Sequence, residues 1–154
     1  MSSVISLYDR IVALLSGRFF EGLALLAARV ALAGIFWRSY KNKVVEGTWF
    51  DIDPFTYELF ENEFSGLPLA SSIAVPITTY AEFVLPILVF LGLGTRFGAL
   101  GLLVITAVIQ IFVFPTSAHL FGWAITTGAL ALILIGRGGG IFSADQIADI
   151  ARAR

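Results

Sequence analysis

The sequence contains no cysteine, one histidine and one methionine among its 154 residues. Without cysteine the chain forms no disulfide, no iron–sulfur cluster and no thiolate metal site, and it carries no CxxC redox motif. One histidine and one methionine provide few ligands for soft or borderline metals, so we predict no metal site. Electron transfer by this chain alone is therefore not expected.

Charge is also scarce. Only 14% of the residues are charged and the formal net charge is −1, which argues against a nucleic-acid partner. Hydrophobic residues make up 58% of the chain and its mean hydropathy is +0.89, whereas soluble domains contain about 45–50% apolar residues. A soluble chain of this size cannot bury so much apolar surface, so we predict that a lipid bilayer surrounds it.

Four apolar stretches are long enough to cross a membrane, which takes roughly 17–25 helical residues. They cover residues 20–40, 69–93, 97–114 and 119–136. We therefore predict an all-α fold, an integral membrane four-helix bundle that forms a single domain over residues 1–154. The second stretch contains Pro76 and Pro86, which membrane helices tolerate when neighbouring groups satisfy the freed carbonyls.

Three short amphipathic helices are predicted outside the spans. The first covers residues 4–15, with apolar positions 4, 8, 11 and 15, and is expected to lie on the membrane surface. The second follows Asp53 and Pro54, a capping residue and a residue suited to the first helical turn. The third begins after Ser143, with Gln146 at the third helical position, as in a capping box.

The distribution of basic residues predicts the orientation, because cytoplasmic loops of membrane proteins are enriched in lysine and arginine. With four spans, both termini and the turn at Arg96 share one side. That side carries Arg10, Arg18, Arg96, Arg137, Arg152 and Arg154. The other side carries Arg38, Lys41 and Lys43, diluted by the acidic residues of the segment 46–64. We therefore predict a multi-pass protein of the bacterial inner membrane with both termini in the cytoplasm.

Arg29 and Glu82 are ionisable residues in the middle of predicted spans. At about 1.5 Å per residue, Arg29 lies roughly 13 Å from the start of the first span and Glu82 roughly 16 Å from the end of the second. Both residues are thus expected near mid-bilayer, where an unpaired charge is costly. We predict an ion pair between them. The pair either fixes helix register or borders a pocket or path for a polar head group or a proton.

Polar residues of the other spans are predicted to extend this layer. They are Thr78, Thr79, Gln110, Thr126 and Thr127. Lys43 and His119, on the outer side, are further candidates for holding a head group, although His119 more often marks the membrane interface. The candidate ligand-binding residues are therefore Arg29, Glu82, Lys43, Gln110, His119 and Thr79. We assign no catalytic residue.

Three stretches together resemble the DoxX family of membrane proteins. They are RVALAGIFWRSYKNK (29–43), AEFVLPILVFLGLGTR (81–96) and LILIGRGGGIFSAD (132–145). The resemblance implies a four-helix membrane bundle, with Arg29, Glu82 and Arg96 at recurring charged positions. It also implies an association with respiratory or sulfur-oxidising assemblies, including quinol oxidase and thiosulfate:quinone oxidoreductase subunits, or with membrane complexes that handle oxidative stress.

The leading functional hypothesis is an inner-membrane accessory subunit of an oxidoreductase system that binds a quinone or another lipid-soluble head group. Arginine, histidine and glutamate provide the donor and the protonatable group that such a head group needs. The alternative is a non-enzymatic assembly module that packs against membrane or periplasmic protein partners through the acidic loop 46–64. A third hypothesis is a small transporter or proton path. A homo-oligomer is left open.

Overall fold

A computed structural model describes residues 2–153, with side chains from residue 5 onward. This part of the chain contains seven α-helices and one π-helical segment. They are α1 (Ser2–Leu15), α2 (Arg18–Lys41), α3 (Pro54–Asn62), α4 (Ser71–Leu91), α5 (Thr95–Val108), the π-helical segment (Ile109–Val113), α6 (Ala118–Arg137) and α7 (Ala144–Arg152). An isolated β-bridge joins Val44 and Ile52 in the loop between α2 and α3.

Within residues 2–153, four helical units are long and apolar enough to cross a membrane: α2, α4, α5 with its π-helical extension, and α6. This confirms the predicted all-α membrane bundle, with boundaries that differ from the predicted ones by a few residues. Large apolar side chains remain exposed along these units, including Ile77, Val104, Ile125 and Leu132 at 54–60% exposure. A bilayer is the solvent in which such an exterior is stable.

The four spanning units form a closed ring in which α2 packs on α4, α4 on α5, α5 on α6, and α6 back on α2. Consecutive spans run in opposite directions, and short turns join α4 to α5 and the π-helical segment to α6. The core between them is apolar and includes Leu32, Phe36, Val89, Leu102 and Leu134, each at most 1% exposed. We call the end with the α4–α5 turn and α7 the terminal end, and the end with α3 the loop end.

The short helices lie where the sequence predicts them. The Asp53 carboxylate accepts a hydrogen bond from the Phe55 N–H at 2.9 Å and caps α3. The Ser143 hydroxyl accepts one from the Gln146 N–H at 3.2 Å and caps α7. Helix α1 exposes its apolar residues, for example Tyr8 at 66% and Leu14 at 64%; its location on the membrane surface stays a prediction.

Two glycines fix the tight turn between α4 and α5. Gly92 and Gly94 adopt φ values of 71° and 57°, in the left-handed region that favours glycine. At Gly92 a side chain is also excluded by space, because an added Cβ would lie 2.1 Å from Nη1 of Arg29. The turn is therefore built around the Arg29 guanidinium.

Candidate functional site

The predicted ion pair between Arg29 and Glu82 is wrong, although both residues are buried as expected, at 1% and 0% exposure. Glu82 pairs instead with Lys43, whose Nζ lies 2.5 Å from the Glu82 Oε2. Arg29 donates hydrogen bonds to two backbone carbonyls, from Nη1 to Phe90 at 3.3 Å and from Nη2 to Phe142 at 2.7 Å.

The direction of the two helices explains this correction. Side chains of an α-helix tilt toward its own N-terminus. Helix α2 begins at the terminal end, so the Arg29 side chain extends toward that end. Helix α4 begins at the loop end, so the Glu82 side chain extends the opposite way, toward Lys43. Counting residues along the helices places the two Cα atoms at similar depths in the membrane. From there the Arg29 guanidinium and the Glu82 carboxylate extend in opposite directions.

Lys43 is held in place by the loop that follows α2. The backbone carbonyl of Lys43 accepts hydrogen bonds from the Asp53 N–H at 3.0 Å and the Thr56 hydroxyl at 3.2 Å. Its ammonium group donates to the Ser39 hydroxyl at 2.9 Å, one helical turn earlier, as well as to Glu82. The side chain therefore turns back into the bundle.

An aromatic cluster fixes the same loop against α4. The Phe83 ring lies 5.0 Å from Tyr40, 5.6 Å from Phe50 and 6.4 Å from Trp49, measured between ring centroids. The buried Tyr40 hydroxyl donates a hydrogen bond to the Trp49 carbonyl. Because Phe83 follows Glu82 directly in the chain, this packing fixes both partners of the ion pair relative to each other.

A cavity of about 420 Å³ adjoins the pair at the loop end. Its walls are mainly apolar and come from α3, α4, α5, the π-helical segment and α6. The aromatic residues of these walls are Phe60, Phe64, Phe114 and Trp123. The lining also includes Ile77 and Val104, which are 60% and 54% exposed on the outside of the bundle. The cavity therefore communicates with the lipid region between α4 and α5.

The two charged residues present different surfaces to this cavity. Lys43 retains 13% side-chain exposure, whereas Glu82 has none. The Glu82 Oε1 is buried and has no hydrogen-bond partner among the described residues. In addition, Pro86 lacks the N–H that would normally bond to the Glu82 carbonyl. Lys43 is thus the accessible member of the ion pair, and behind it Glu82 has an unused acceptor.

The other predicted site residues are dispersed. Thr79 is fully buried, and its hydroxyl has no partner within the described chain. Gln110 lies in the π-helical segment, where its side-chain amide donates to the Phe114 carbonyl at 2.9 Å and its Oε1 is likewise unpartnered. His119 is exposed in the first turn of α6 and does not line the cavity. Thr126 is exposed too, so it does not belong to the polar layer.

A comparison with protein families finds a match to the family model described as DoxX over residues 24–115. The chain belongs to the DoxX family. The DoxX match includes Arg29, Lys43, Glu82 and Gln110, but ends before α6. No curated protein and no solved structure is significantly similar to the chain. The chain is thus a multi-pass DoxX membrane protein.

The terminal end of this DoxX protein contains a second polar assembly that the sequence analysis missed. Asp145, the second residue of α7, accepts hydrogen bonds from the Gly94 N–H at 2.7 Å, the Thr95 N–H at 2.9 Å and the Thr95 hydroxyl at 2.8 Å. It thereby caps the N-terminus of α5, while Arg29 bonds to the Phe142 carbonyl next to α7. We call these contacts the terminal clasp, because they fasten α7 to the bundle.

The charge of Asp145 is stabilised within the clasp. Burial raises the pKa of this carboxyl, but the hydrogen bonds from Thr95 and Gly94 and the nearby Arg29 guanidinium lower it by more. The net pKa is therefore below the usual value of an aspartate, and Asp145 remains ionised at neutral pH. The sequence contains one signal for this role of Asp145. The α4–α5 turn, GLGTR, has no acidic residue that could cap the N-terminus of α5, so a capping carboxylate has to come from another part of the chain.

Proposed function

We propose that this DoxX protein is an accessory subunit of a membrane oxidoreductase or stress system, and that it binds the head group of a quinone, or of a lipid-soluble molecule with similar chemistry, in the Lys43–Glu82 cavity. In this proposal the protein resides in the bacterial inner membrane with both termini in the cytoplasm, as the arginines of the terminal end indicate.

The observation that carries the proposal is a buried Lys43–Glu82 pair at the wall of an apolar cavity that opens toward lipid. Its volume of about 420 Å³ lies within the range of roughly 300–1,000 Å³ that is typical of small-molecule sites. A soluble metabolite would have to cross the hydrocarbon region to enter between α4 and α5. A lipid-soluble molecule diffuses there directly.

The lining residues fit a quinone head group. The Lys43 ammonium can donate a hydrogen bond to a ring carbonyl, and the Glu82 carboxylate behind it, which has no exposed surface, holds that ammonium in position and can take up a proton from it. Phe60, Phe64, Phe114 and Trp123 provide apolar and aromatic surface, which suits a flat ring. A bound quinone would supply two-electron redox chemistry. The residues of the chain would bind the ring, orient it and take up or release a proton.

Binding of decylubiquinone to the purified full-length protein tests the proposal. Quenching of the three tryptophans gives the Kd for wild type, Lys43→Met and Glu82→Gln. Loss of a charged hydrogen-bond partner is worth about 1.5–3 kcal/mol, so each variant should weaken binding roughly tenfold or more. Glu58→Gln removes an exposed carboxylate of α3 and should change nothing. Equal Kd values for all four proteins would refute the site.

A second candidate function, an assembly module, is supported by the exposed surface of the loop end. Trp49, Phe50 and Phe55 are 56%, 60% and 66% exposed, next to the acidic residues of α3. A docked protein partner would cover such a surface. Partner recovery that survives Glu82→Gln but is lost with Phe55→Ser would favour assembly over quinone binding.

A further inference from the structure

A second cavity, of about 890 Å³, lies at the terminal end of the bundle. The α4–α5 turn, the glycine-rich segment after α6 and one face of α7 form its walls. The quinone proposal does not use this cavity, which lies at the opposite end of the spanning helices from Lys43. Its lining combines basic and apolar side chains.

Three arginines line the cavity: Arg96, Arg137 and Arg152. Arg137 forms an ion pair with Glu21, whereas Arg96 and Arg152 form no ion pair within the described residues. At Gly138 an added Cβ would be 3.5 Å from Nε of Arg96. This is an ordinary contact distance, so the Arg96 side chain lies beside the glycine-rich segment at Gly138.

The acidic residues of the lining do not neutralise these arginines. The negative charge of Asp145 is balanced by the nearby Arg29 guanidinium, and its carboxylate accepts three hydrogen bonds at the N-terminus of α5. Asp149 is exposed and forms no ion pair in the part of the chain that the structure describes. Two unpaired guanidinium groups therefore stand against one unpaired carboxylate, and an anionic ligand would balance the remaining positive charge.

The apolar part of the lining lies beside the bilayer. Leu88, Leu93 and Phe97 line the cavity, and Phe97 is the most exposed of them at 81%. On α7, Ile147 and Ile150 are 70% and 50% exposed, as expected of a helix that lies along a membrane surface. In a bilayer that α4 and α5 span, the arginines would lie near the head groups and the apolar residues of the lining near the acyl chains.

We propose that this cavity binds an anionic phospholipid, with its phosphate between Arg96 and Arg152 and its acyl chains against Leu93 and Phe97. Guanidinium groups bind phosphate oxygens through paired N–H donors. Basic residues near the membrane surface each contribute to the attraction of anionic lipid. The bound phospholipid connects the α4–α5 turn with α7.

Native mass spectrometry of the full-length protein in a neutral detergent tests this proposal, with palmitoyl-oleoyl phosphatidylglycerol and the matching phosphatidylcholine as probes. The wild type should bind phosphatidylglycerol roughly tenfold more tightly than phosphatidylcholine. The double variant Arg96→Gln/Arg152→Gln should lose this preference. Inorganic phosphate in excess should not displace the lipid, because it makes no apolar contact; displacement at equal concentration would assign the site to a free anion and overturn the lipid proposal.

Control variants separate a built site from general surface charge. Arg10→Gln/Arg18→Gln removes two exposed arginines near the same end and should keep the preference, and Arg96→Lys/Arg152→Lys should keep most of it. Asp149→Asn should tighten phosphatidylglycerol binding, a result that does not depend on the folding of the arginine variants. A preference that persists in Arg96→Gln/Arg152→Gln, is lost equally in Arg10→Gln/Arg18→Gln, or fails to rise in Asp149→Asn would overturn the proposal.

Discussion

Lys43→Met should be among the most destabilising single substitutions of a polar residue at the loop end. The Lys43 Nζ lies 2.5 Å from Glu82, whose side chain has no exposed surface. Removing one partner of a buried ion pair costs about 3–5 kcal/mol, because the other charge remains buried without compensation. Glu82→Gln should cost less, roughly 1–3 kcal/mol, since Lys43 keeps 13% exposure and its bond to Ser39.

The double variant Lys43→Met/Glu82→Gln sharpens this prediction. With both charges absent, no charge is left buried without a partner. The double variant should therefore lose about 2 kcal/mol less stability than the sum of the losses of the two single variants. SDS titration in mixed micelles, followed by far-ultraviolet circular dichroism at neutral pH, measures all three variants. Lys41→Met is the matched control, because Lys41 is exposed and lies 5.6 Å from the Trp49 ring; it should cost less than about 1 kcal/mol. Strict additivity, or a Lys43→Met loss no larger than that of Lys41→Met, would refute the reasoning.

Three further predictions concern the terminal end. Arg29→Met removes the hydrogen bonds to the Phe90 and Phe142 carbonyls, so limited proteolysis should release α7 sooner than in wild type. Arg29→Lys should restore part of the protection. Equal cleavage rates in wild type and both variants would contradict the terminal clasp. Gly92→Ala should destabilise by about 1–3 kcal/mol, because φ is 71° and an added Cβ would lie 2.1 Å from Arg29; Gly136→Ala, at a position with open space, should be neutral or stabilising in the same titration. The lowered pKa of Asp145 means that its stabilising contribution is complete above the unfolded-state pKa of about 3.9 and is lost as pH falls through the lower folded-state pKa. Wild type should therefore unfold at a higher temperature than Asp145→Asn at neutral pH, and the difference should shrink in acid; a constant difference would show that the carboxyl charge is not responsible.

Much of the fold was predictable because hydrophobic length alone specifies membrane spans. The bounds of α2, α4, α5 with its π-helical extension, and α6 follow the four apolar stretches closely. The caps of α3 and α7 were predictable because Asp53 and Ser143 each precede a helix at the position where a side-chain oxygen reaches a free N–H. These signals are local, and a single sequence contains them in full.

The site was less predictable because it depends on side-chain direction and on a distant loop. Burial of Arg29 and Glu82 followed from their positions in apolar spans, but their partners did not. Lys43 was a candidate from the sequence, yet only the bridge between Val44 and Ile52 and the packing on Phe83 show that it returns to Glu82. The π-helical segment, Ile109–Val113, has no recognisable signal in the sequence.

The opposite directions of α2 and α4 have a consequence for ion permeability. The Arg29 guanidinium is drawn toward one leaflet and the Glu82 carboxylate toward the other, while Leu32 and Val89, both fully buried, lie along α2 and α4 between the two polar regions. Buried Thr79, Thr106 and Thr127 add hydroxyl groups to this mostly apolar middle, but no hydrogen bond among the described residues joins the two polar regions. Vesicles that contain this protein should hold a proton gradient as long as empty ones.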